Sequence, residues 1–396
     1  MGKLTGLHTL YISYNSIAEP LVRSQVLNYQ ERMVAEGVNV RLLTFEHQPP
    51  EDEAALKAEL AGKGVKWDWL PYSGKKGARG TAADVKAGIK HILARKNDVD
   101  FVHCRSLIPA MMGYGARKFG GPRYLYDVRG FWAHEKRYKG RIKSDFQFKI
   151  ARGVEALTYR NASALVTLSQ AGMDILEKEY FANGKAPPRR VIPTCANIAP
   201  FMKPRKPLNA KAPRLVYSGS LGAGYMRDEV FAFFVRLRKI LPESSLTVLT
   251  RSDPDMVREG AKLAGLSSDD YEMKSLQPQE MAEALLKCDL ALSFIKPDFS
   301  KIASCPTKMG EYLAAGLPVI ANGGIGDVDS QLGDTRTGAV IKDFSEAELS
   351  RAAEEAQLLL ADPDMIERAR KTAAEIFSLD LGAASYIELY AALKDT

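Results

Sequence analysis

The sequence predicts an α/β protein with two doubly wound, parallel-sheet domains of the Rossmann-like kind. Short apolar segments typical of strands alternate with helical patterns along the chain, and this alternation is typical of parallel sheets with crossover helices. One stretch rich in Pro, Lys and Asn, residues 193–213, interrupts the alternation. A chain of 396 residues is long enough for two or three domains. We therefore expect two domains that face one another across a cleft.

The first half contains seven apolar segments of strand length, each bounded by turn-forming or polar residues. The predicted strands are Leu7–Ser13, Val38–Phe45, Val65–Leu70, Phe101–Cys104, Tyr124–Asp127, Ala164–Leu168 and Arg190–Ile192. Apolar residues with helical spacing lie between them, most clearly in Pro20–Glu36, Ala82–Lys96 and Phe146–Arg160. These elements predict an N-terminal domain over residues 1–195.

A second series of strands follows the predicted linker at residues 196–213. Its members are Arg214–Gly219, Ser245–Thr250, Leu290–Phe294, Leu317–Ala321 and Gly338–Ile341. They predict a C-terminal domain over residues 214–378. The final helical segment, residues 379–396, is expected to pack back on the N-terminal domain.

Composition excludes several classes of protein. No apolar run is long enough for a membrane span, and the first ten residues lack the apolar core of a signal peptide. The four cysteines are scattered and form no C-x-x-C pair, which argues against a disulfide framework or a zinc site. These features predict a cytoplasmic protein.

The net charge of +7 is unevenly distributed. In residues 1–200, Lys and Arg outnumber Asp and Glu by 31 to 19, whereas the second half is acidic. A solvated basic surface and an anionic partner explain this excess equally well.

The segment from Ser300 to Asp327 carries the clearest chemical signal. Pro306 and Thr307 open a predicted helix, and Ser304 lies in the loop before it. Lys308 and Glu311 are spaced to share one helix face. A helix N-terminus with a nearby cation suits a phosphate, and a carboxylate one turn later suits ribose hydroxyls. The segment therefore predicts a site for a nucleoside diphosphate.

A glycine-rich turn follows the first strand of the second series. Gly219, Ser220 and Gly222 belong to Y-S-G-S-L-G-A-G-Y, where glycines let the backbone approach a ligand. A plain strand-to-helix turn is the alternative interpretation. Arg251 ends the next strand, and we expect it to join Lys301 and Lys308 in neutralising a leaving diphosphate.

Two polar clusters in the first half are predicted to serve the acceptor side. The segment Y-D-V-R-G-F-W-A-H-E-K-R places Asp127 and Arg129 at a strand end, followed by Trp132 and His134. Such groups orient sugar hydroxyls and stack on sugar rings, and we expect Asp127 to be catalytic by orienting donor or acceptor hydroxyls. An Asp–Arg pair that caps a helix is the alternative interpretation. The second cluster lies in the first strand-to-helix turn and consists of Arg23, Ser24 and Gln25.

The basic stretch at residues 136–143 is followed by Phe146 and Phe148. Cations with interleaved aromatics suit an anionic membrane surface, and a solvated helix face is at least as good an explanation. No nucleic-acid-binding motif is present, so we expect no nucleic-acid partner.

At residues 306–322, the segment P-T-K-M-G-E-Y-L-A-A-G-L-P-V-I-A-N resembles the retaining glycosyltransferases of family 4, which have the GT-B fold. Shorter matches are V-Y-S-G-S-L-G, V-I-P-T and the closing Y-I-E-L-Y. S-Q-V and D-V-R-G-F-W resemble a subgroup associated with bacterial surface polysaccharides. The resemblance implies transfer of a sugar from a nucleotide diphosphate to a hydroxyl acceptor, a saccharide or a lipid-linked saccharide.

The resemblance also implies residue roles. Glu311 matches the second Glu of the E-x7-E motif, which holds the ribose, and Ala303 occupies the position of the first. Ser220 stands where the family often has an Arg, and Ala223 and Gly224 stand where it has a Lys. Lys301, Lys308 and Arg251 are our candidates to replace that positive charge.

We expect no cofactor and no metal, because the nucleotide-sugar is itself a substrate and the D-x-D strings fall at turns or helix starts. UDP- and GDP-sugars are the favoured donors. The inner face of the membrane is a possible place of action. Three alternatives remain: a nucleotide-sugar 2-epimerase, a catalytically silent nucleotide-sugar-binding protein and a polyanion-binding protein.

Overall fold

The computed structural model describes residues 2–182, 184, 186–222 and 224–394. The chain forms two compact units, which we call the N-terminal and C-terminal units. The first comprises Met1–Pro193, Phe299–Ser304 and Gly382–Thr396, and the second comprises Thr194–Asp298 and Cys305–Leu381. The predicted domain bounds stay a prediction, because compactness does not measure independent folding.

In the described part of the N-terminal unit, seven parallel strands form one sheet in the order β3-β2-β1-β4-β5-β6-β7. They are β1 His8–Ser13, β2 Asn39–Glu46, β3 Val65–Pro71, β4 Phe101–Arg105, β5 Arg123–Asp127, β6 Ala164–Thr167 and β7 Arg189–Val191. The helices are α1 Pro20–Val22, α2 Asn28–Ala35, α3 Glu53–Gly62, α4 Ala78–Leu93, α5 Leu107–Lys118, α6 Trp132–Tyr138, α7 Asp145–Asn161 and α8 Gln170–Tyr180. A π-helical turn, Arg23–Leu27, joins α1 to α2, and 3₁₀ turns lie at Gly74–Lys76 and Phe299–Ala303.

Among the residues described in the C-terminal unit, six parallel strands form a second sheet in the order β10-β9-β8-β11-β12-β13. They are β8 Arg214–Ser218, β9 Ser245–Leu249, β10 Tyr271–Lys274, β11 Leu290–Ser293, β12 Val319–Asn322 and β13 Gly338–Ile341. The helices are α9 Arg227–Arg238, α10 Pro254–Leu263, α11 Met281–Leu286, α12 Thr307–Ala314, α13 Val328–Thr335, α14 Glu346–Ala361 and α15 Met365–Thr372, and α16 Leu379–Lys394 begins here. Short 3₁₀ turns, Ala199–Phe201 and Pro278–Glu280, and a π-helical turn, Ala373–Phe377, complete the set.

The predicted α/β class with two doubly wound parallel sheets is confirmed. Central strands such as β8 and β11 are apolar and buried, and this is why the sequence revealed them. The edge strand β10 was missed, because its residues Y-E-M-K are largely exposed and carry no apolar run.

Parallel pairing brings the carboxyl ends of the central strands together. In the N-terminal sheet, Ser13 pairs with Arg105, which pairs with Asp127. In the C-terminal sheet, Ser218 pairs with Leu249, just before the glycine-rich turn. Each sheet therefore gathers polar groups at the edge where doubly wound folds bind ligands.

Candidate functional site

Helix α12 begins at Thr307, after Pro306 in an extended conformation at the N-cap. Tyr312 of this helix accepts a hydrogen bond from the backbone N–H of Ser218, with an N–O distance of 2.7 Å, and its hydroxyl lies 2.9 Å from Ser218 Oγ. Tyr312 is fully buried. These bonds fix α12 against the end of β8, from which the glycine-rich turn departs.

Lys308 points toward that turn. Its Nζ atom is buried and has no hydrogen-bond partner among the described residues. It lies 4.3 Å from the ring centre of Tyr217 and 5.2 Å from that of Tyr225. A Cβ atom placed on Gly219 would come within 3.2 Å of this nitrogen. An ammonium group with aromatic neighbours and no anionic hydrogen-bond partner is well placed to receive a phosphate.

Glu311 lies one helical turn after Lys308, and each group perturbs the other. Burial lowers the pKa of Lys308 to about 7, against the opposing effect of Glu311. Burial likewise raises the pKa of Glu311 to about 7, with Lys308 opposing. Strong shifts produced by burial and one charge partner are frequent at functional sites. The sequence prediction that these two side chains act together is therefore consistent with their electrostatics.

The glycine-rich turn departs from β8 at Gly219, whose φ of +118° is accessible to glycine and strained for other residues. Its backbone N–H donates to Leu249 O at 2.9 Å. Ser220 is exposed, and its Oγ accepts from the backbone N–H of Gly222 at 3.1 Å. Ala223 lies outside the described residues. The turn thus brings backbone, rather than side-chain cations, close to Lys308.

Arg251 follows β9 and is exposed. Its guanidinium donates to Leu276 O and to Gln277 Oε1, both at 3.1 Å. These contacts hold the side chain toward the β10 edge of the sheet. The role of Arg251 in neutralising a diphosphate stays a prediction.

In the N-terminal unit, Asp127 lies at the centre of a buried charged cluster. Asp127 is 1% exposed, and its Oδ2 atom lies 3.6 Å from His103 Nε2 and 3.5 Å from Arg129 Nε. Burial by itself would raise the pKa of Asp127. The adjacent Arg129 and His103 side chains outweigh this effect and lower the pKa to about 2. Burial lowers the pKa of His103, so this imidazole is neutral near pH 7. Asp127 is therefore a charged carboxylate.

The same cluster borders a cavity of about 10 Å³, roughly the room for one water molecule. Residues from β1, the π-helical turn, α2, β4, the end of β5 and the loop after it, and α16 line it: Tyr11, Gln25, Tyr29, Gln30, Met33, His103, Asp127, Arg129, Tyr386 and Tyr390. The hydroxyl of Tyr390 lies 2.6 Å from His103 Nδ1. The structure thus places Asp127, Arg129 and Gln25 together, under a cover formed by tyrosines of α16.

The other predicted acceptor-side residues lie apart from this cavity. Arg23 forms an ion pair with Glu59, and Ser24 Oγ donates to Pro20 O at 2.9 Å. Trp132 begins α6 and has the ammonium of Lys136 5.5 Å from its ring centre. His134 lies 3.0 Å from an Arg152 nitrogen. Local partners thus occupy these side chains.

The segment Phe299–Ser304 carries Lys301, Ser304 and the position of the missing motif Glu. Ser169 Oγ donates to Ile302 O at 2.6 Å, and Ala303 is fully buried in the core of the N-terminal unit. A Cβ atom on Gly172 would come within 2.7 Å of Ala303 Cβ. A glutamate at position 303 would place its carboxylate in this apolar core, so an alanine fits the packing here. Lys301 is partly exposed, and Ser304 donates its N–H to Lys301 O at 3.0 Å.

Several residues of these sites were not predicted. Tyr217 and Tyr225 bracket the glycine-rich motif, which was itself a usable signal, and Tyr312 follows Glu311 directly. His103 and Arg105 alternate on a strand that is otherwise apolar, and charged groups in a buried strand signal a polar network. Tyr386 and Tyr390, four residues apart, share a face of α16.

Comparison with known proteins bears on the family and the fold of the chain. Residues 22–195 match the family described as glycosyl transferase 4-like domain. No curated protein matches the chain.

Solved structures similar to the chain, over nearly its whole length, have the GT-B fold. Sucrose-phosphate synthase from Thermosynechococcus elongatus is 17% identical, with a TM-score of 0.71 and coverage of 98% of this chain and 99% of that one. Anabaena HepE in complex with UDP-glucose is 14% identical, with a TM-score of 0.67 and coverage of 98% and 100%. WaaG, a glycosyltransferase involved in lipopolysaccharide biosynthesis, is 18% identical, with a TM-score of 0.68 and coverage of 96% and 99%.

At these identities the neighbours establish the fold, and the chain has the GT-B fold. The resemblance to family 4 glycosyltransferases predicted from the sequence is confirmed. Within the described ranges, no helix combines the length and apolarity needed to cross a bilayer.

Proposed function

We propose that the protein is a retaining glycosyltransferase that moves a hexosyl or related sugar from a UDP- or GDP-sugar to a hydroxyl acceptor. The match of residues 22–195 to the glycosyl transferase 4-like domain and the GT-B fold support a nucleotide-sugar glycosyltransferase. The observation that carries the proposal is the pairing of Lys308 and Glu311 at the start of α12, beside Gly219. HepE, a neighbour of the same fold, was crystallised with UDP-glucose, which fits such a donor.

In this proposal Lys308 and the N–H groups at the start of α12 stabilise the leaving diphosphate, and Glu311 binds the ribose hydroxyls. An incoming diphosphate restores the charge of Lys308, because an adjacent anion raises the pKa of an ammonium group. The acceptor hydroxyl attacks the anomeric carbon, the bond to the diphosphate oxygen breaks, and the proton passes to the leaving phosphate. No metal or cofactor takes part in this scheme.

The N-terminal unit is proposed to bind the acceptor, a saccharide or a lipid-linked saccharide, through Arg23, Ser24, Trp132 and His134. Asp127 holds Arg129 in this scheme, since its carboxylate is buried against that guanidinium. The product belongs to cell-surface polysaccharide or glycoconjugate synthesis, and the site of action is the cytoplasm at the inner face of the membrane.

The test is a thermal-shift screen with UDP, GDP, ADP, CMP and their sugars. A ligand at a hundredfold excess over its Kd adds about 2.7 kcal/mol to the free energy of unfolding. We expect UDP or GDP to raise the Tm, and the Lys308→Met variant to lose the rise. If no nucleotide raises the Tm of the wild-type protein, the proposed function is wrong.

The packing around Ala303 favours a second candidate, a catalytically silent nucleotide-sugar-binding protein, because position 303 supplies no carboxylate. Incubation with a radiolabelled donor separates the two. An enzyme releases nucleoside diphosphate through hydrolysis or transfer, whereas a silent binder raises its Tm without turnover.

A further inference from the structure

Helix α7 of the N-terminal unit presents large apolar side chains to solvent. Phe146 is 73% exposed, Ile150 53% and Leu157 50%. Single exposed apolar residues are common on protein surfaces and need no explanation. Three of them on one helix of 17 residues call for a closer look at their arrangement.

The three side chains form one row along the helix. At 3.6 residues per turn, positions 146, 150 and 157 fall within about 40° of one another and span about 16 Å. Gly153 lies on the same line, and nothing lies within 4 Å of a Cβ atom placed there. The opposite face of the helix is buried through Glu155, Thr158 and Tyr159. The row is therefore a continuous apolar ridge on the outer face of α7, which we call the α7 ridge.

Cations surround the N-terminal end of the α7 ridge. Arg141, Lys143 and Lys149 are exposed, and no described carboxylate lies within ion-pair distance of them. Nearby Arg137 and Lys139 do have partners, Asp145 and Glu135 respectively. The α7 ridge thus combines exposed apolar side chains with uncompensated positive charge.

An exposed apolar residue on another helix provides a comparison. Leu358 on α14 is 72% exposed, close to the value for Phe146, but Glu354 and Glu355 lie four and three positions before it on the helix. Neither an apolar row nor a basic rim is present there. Exposure of an apolar side chain therefore does not distinguish α7 from α14. The row of apolar side chains and the basic residues beside it do.

We propose that the α7 ridge is a docking surface for an anionic phospholipid bilayer. Phe146, Ile150 and Leu157 enter the boundary between headgroups and acyl chains, while Arg141, Lys143 and Lys149 lie at the level of the phosphates. Charge complementarity selects this occupant, because a neutral protein groove would leave these cations unpaired. The inference deepens the proposed function, since it brings the N-terminal unit to the place where a lipid-linked acceptor resides.

Co-sedimentation with vesicles tests this inference. We expect the full-length protein to bind vesicles of equal parts phosphatidylglycerol and phosphatidylcholine, and to bind pure phosphatidylcholine vesicles much more weakly. Replacing Lys143 and Lys149 by Gln is expected to weaken binding about fivefold per cation. The F146S/I150S double variant is expected to weaken it about tenfold or more, because less apolar surface is buried in the bilayer.

The matched control is Leu358→Ser, which removes an equally exposed side chain from the acidic helix α14. Equal losses for this control and the F146S/I150S variant would overturn the proposal, as would equal binding to both kinds of vesicle. Undiminished vesicle binding by the F146S/I150S variant would point to a protein partner for the ridge and also refute it.

The vesicle-binding test and the nucleotide-binding test of the proposed function can fail independently of one another. The UDP-induced rise in Tm is measured on the same variants and depends on Lys308 in the C-terminal unit. The F146S/I150S variant is expected to keep this rise, which also shows that it is folded. A protein that binds UDP but not vesicles refutes only the docking surface, and one that binds vesicles but no nucleotide refutes only the proposed function.

Discussion

At the scale of single residues, burial decides how the candidate side chains behave. Lys308 and Glu311 have pKa values near 7 because burial penalises each charge and only the other offsets it. Asp127 is more completely buried but remains charged, because the adjacent Arg129 guanidinium, assisted by the His103 imidazole, outweighs the effect of burial on its pKa. An uncompensated pair suits the binding of a charged ligand, whereas a compensated carboxylate suits a fixed internal network.

Glu311→Ala is the sharpest single test of the donor site. Loss of charge-assisted hydrogen bonds to the ribose costs about 1.5–3 kcal/mol, so we expect the Kd for the preferred nucleoside diphosphate to rise about tenfold to a hundredfold. Isothermal titration calorimetry measures the change, with Glu354→Ala on the exposed face of α14 as the control. Unchanged affinity for every nucleoside diphosphate would show that Glu311 does not hold the ribose.

Asp127→Asn tests the buried cluster. The substitution leaves Arg129 and Arg105 without a negative partner, and we expect the free energy of unfolding to fall by roughly 3 kcal/mol. The pKa of Asp127 is depressed from 3.8 to about 2, so its stabilisation is present above pH 3.8 and is lost as the pH falls toward 2. Urea unfolding of the wild-type protein and the Asp127→Asn variant, at neutral and at acidic pH, measures this difference in the free energy of unfolding. A difference in stability that stays constant down to pH 2 would contradict the assignment.

At the scale of elements, α12 is placed by its contacts rather than by its propensity. It spans only Thr307–Ala314, and Tyr312 ties it to Ser218. A helix of this length is marginal in isolation, so tertiary packing must stabilise it. The same contacts force Lys308 and Glu311 out of water, at a cost in stability that a binding site can sustain.

The double variant Lys308→Met with Glu311→Gln is therefore expected to stabilise the ligand-free protein by about 1 kcal/mol or more near pH 7. Burial of the charged lysine lowers the free energy of unfolding. This destabilisation is complete below pH 7 and disappears as the pH rises toward 10.5, the usual pKa of a lysine. The destabilisation caused by burying the charged glutamate is absent below pH 4.5 and complete above pH 7. The gain from the variant should thus be largest near neutrality.

Urea unfolding across this pH range measures the gain. The control is neutralisation of the exposed pair Lys287 and Glu283, which should change the free energy of unfolding by less than about 1 kcal/mol. A double variant that is less stable than the wild type at pH 7 would contradict the inferred cost.

At the scale of the whole molecule, the chain completes its N-terminal unit with its last residues. Gly382–Thr396 belong to that unit, and Tyr386, Leu389, Tyr390 and Leu393 are buried. The hydroxyl of Tyr390 contacts His103, and the Tyr386 ring lies 5.4 Å from the Tyr29 ring. The first and last parts of the sequence therefore share one core.

Deletion of residues 382–396 is expected to expose the charged cluster around Asp127 and to lower the free energy of unfolding of the N-terminal unit by more than about 3 kcal/mol. Hydrogen exchange of β1 and β4 measures the effect. Tyr390→Phe, which removes only one hydroxyl, is the milder comparison and should cost about 1 kcal/mol. Unchanged protection of both strands after the deletion would contradict this view.

Much of the fold could be predicted because the central strands are buried on both faces and are recognisable as apolar runs. The exposed strand β10 could not, since its polar residues carry no such signal. Spacing alone predicted that Thr307, Lys308 and Glu311 share the start of one helix. It could not show that Ala303 is packed against Gly172, because that contact joins residues 131 positions apart.

The sequence by itself determined the α/β class, the parallel sheets and the resemblance to family 4 glycosyltransferases, because periodicity and motifs are properties of neighbouring residues. Only the tertiary structure decided the protonation states of the candidate residues. The Nζ atom of Lys308 is buried beside Tyr217 and Tyr225, and Asp127 lies beneath the tyrosines of α16, because distant segments of the chain meet there. Contacts between distant segments decide how deeply each side chain is buried and which charges lie beside it. Burial and neighbouring charges in turn determine the pKa values on which the proposed chemistry depends.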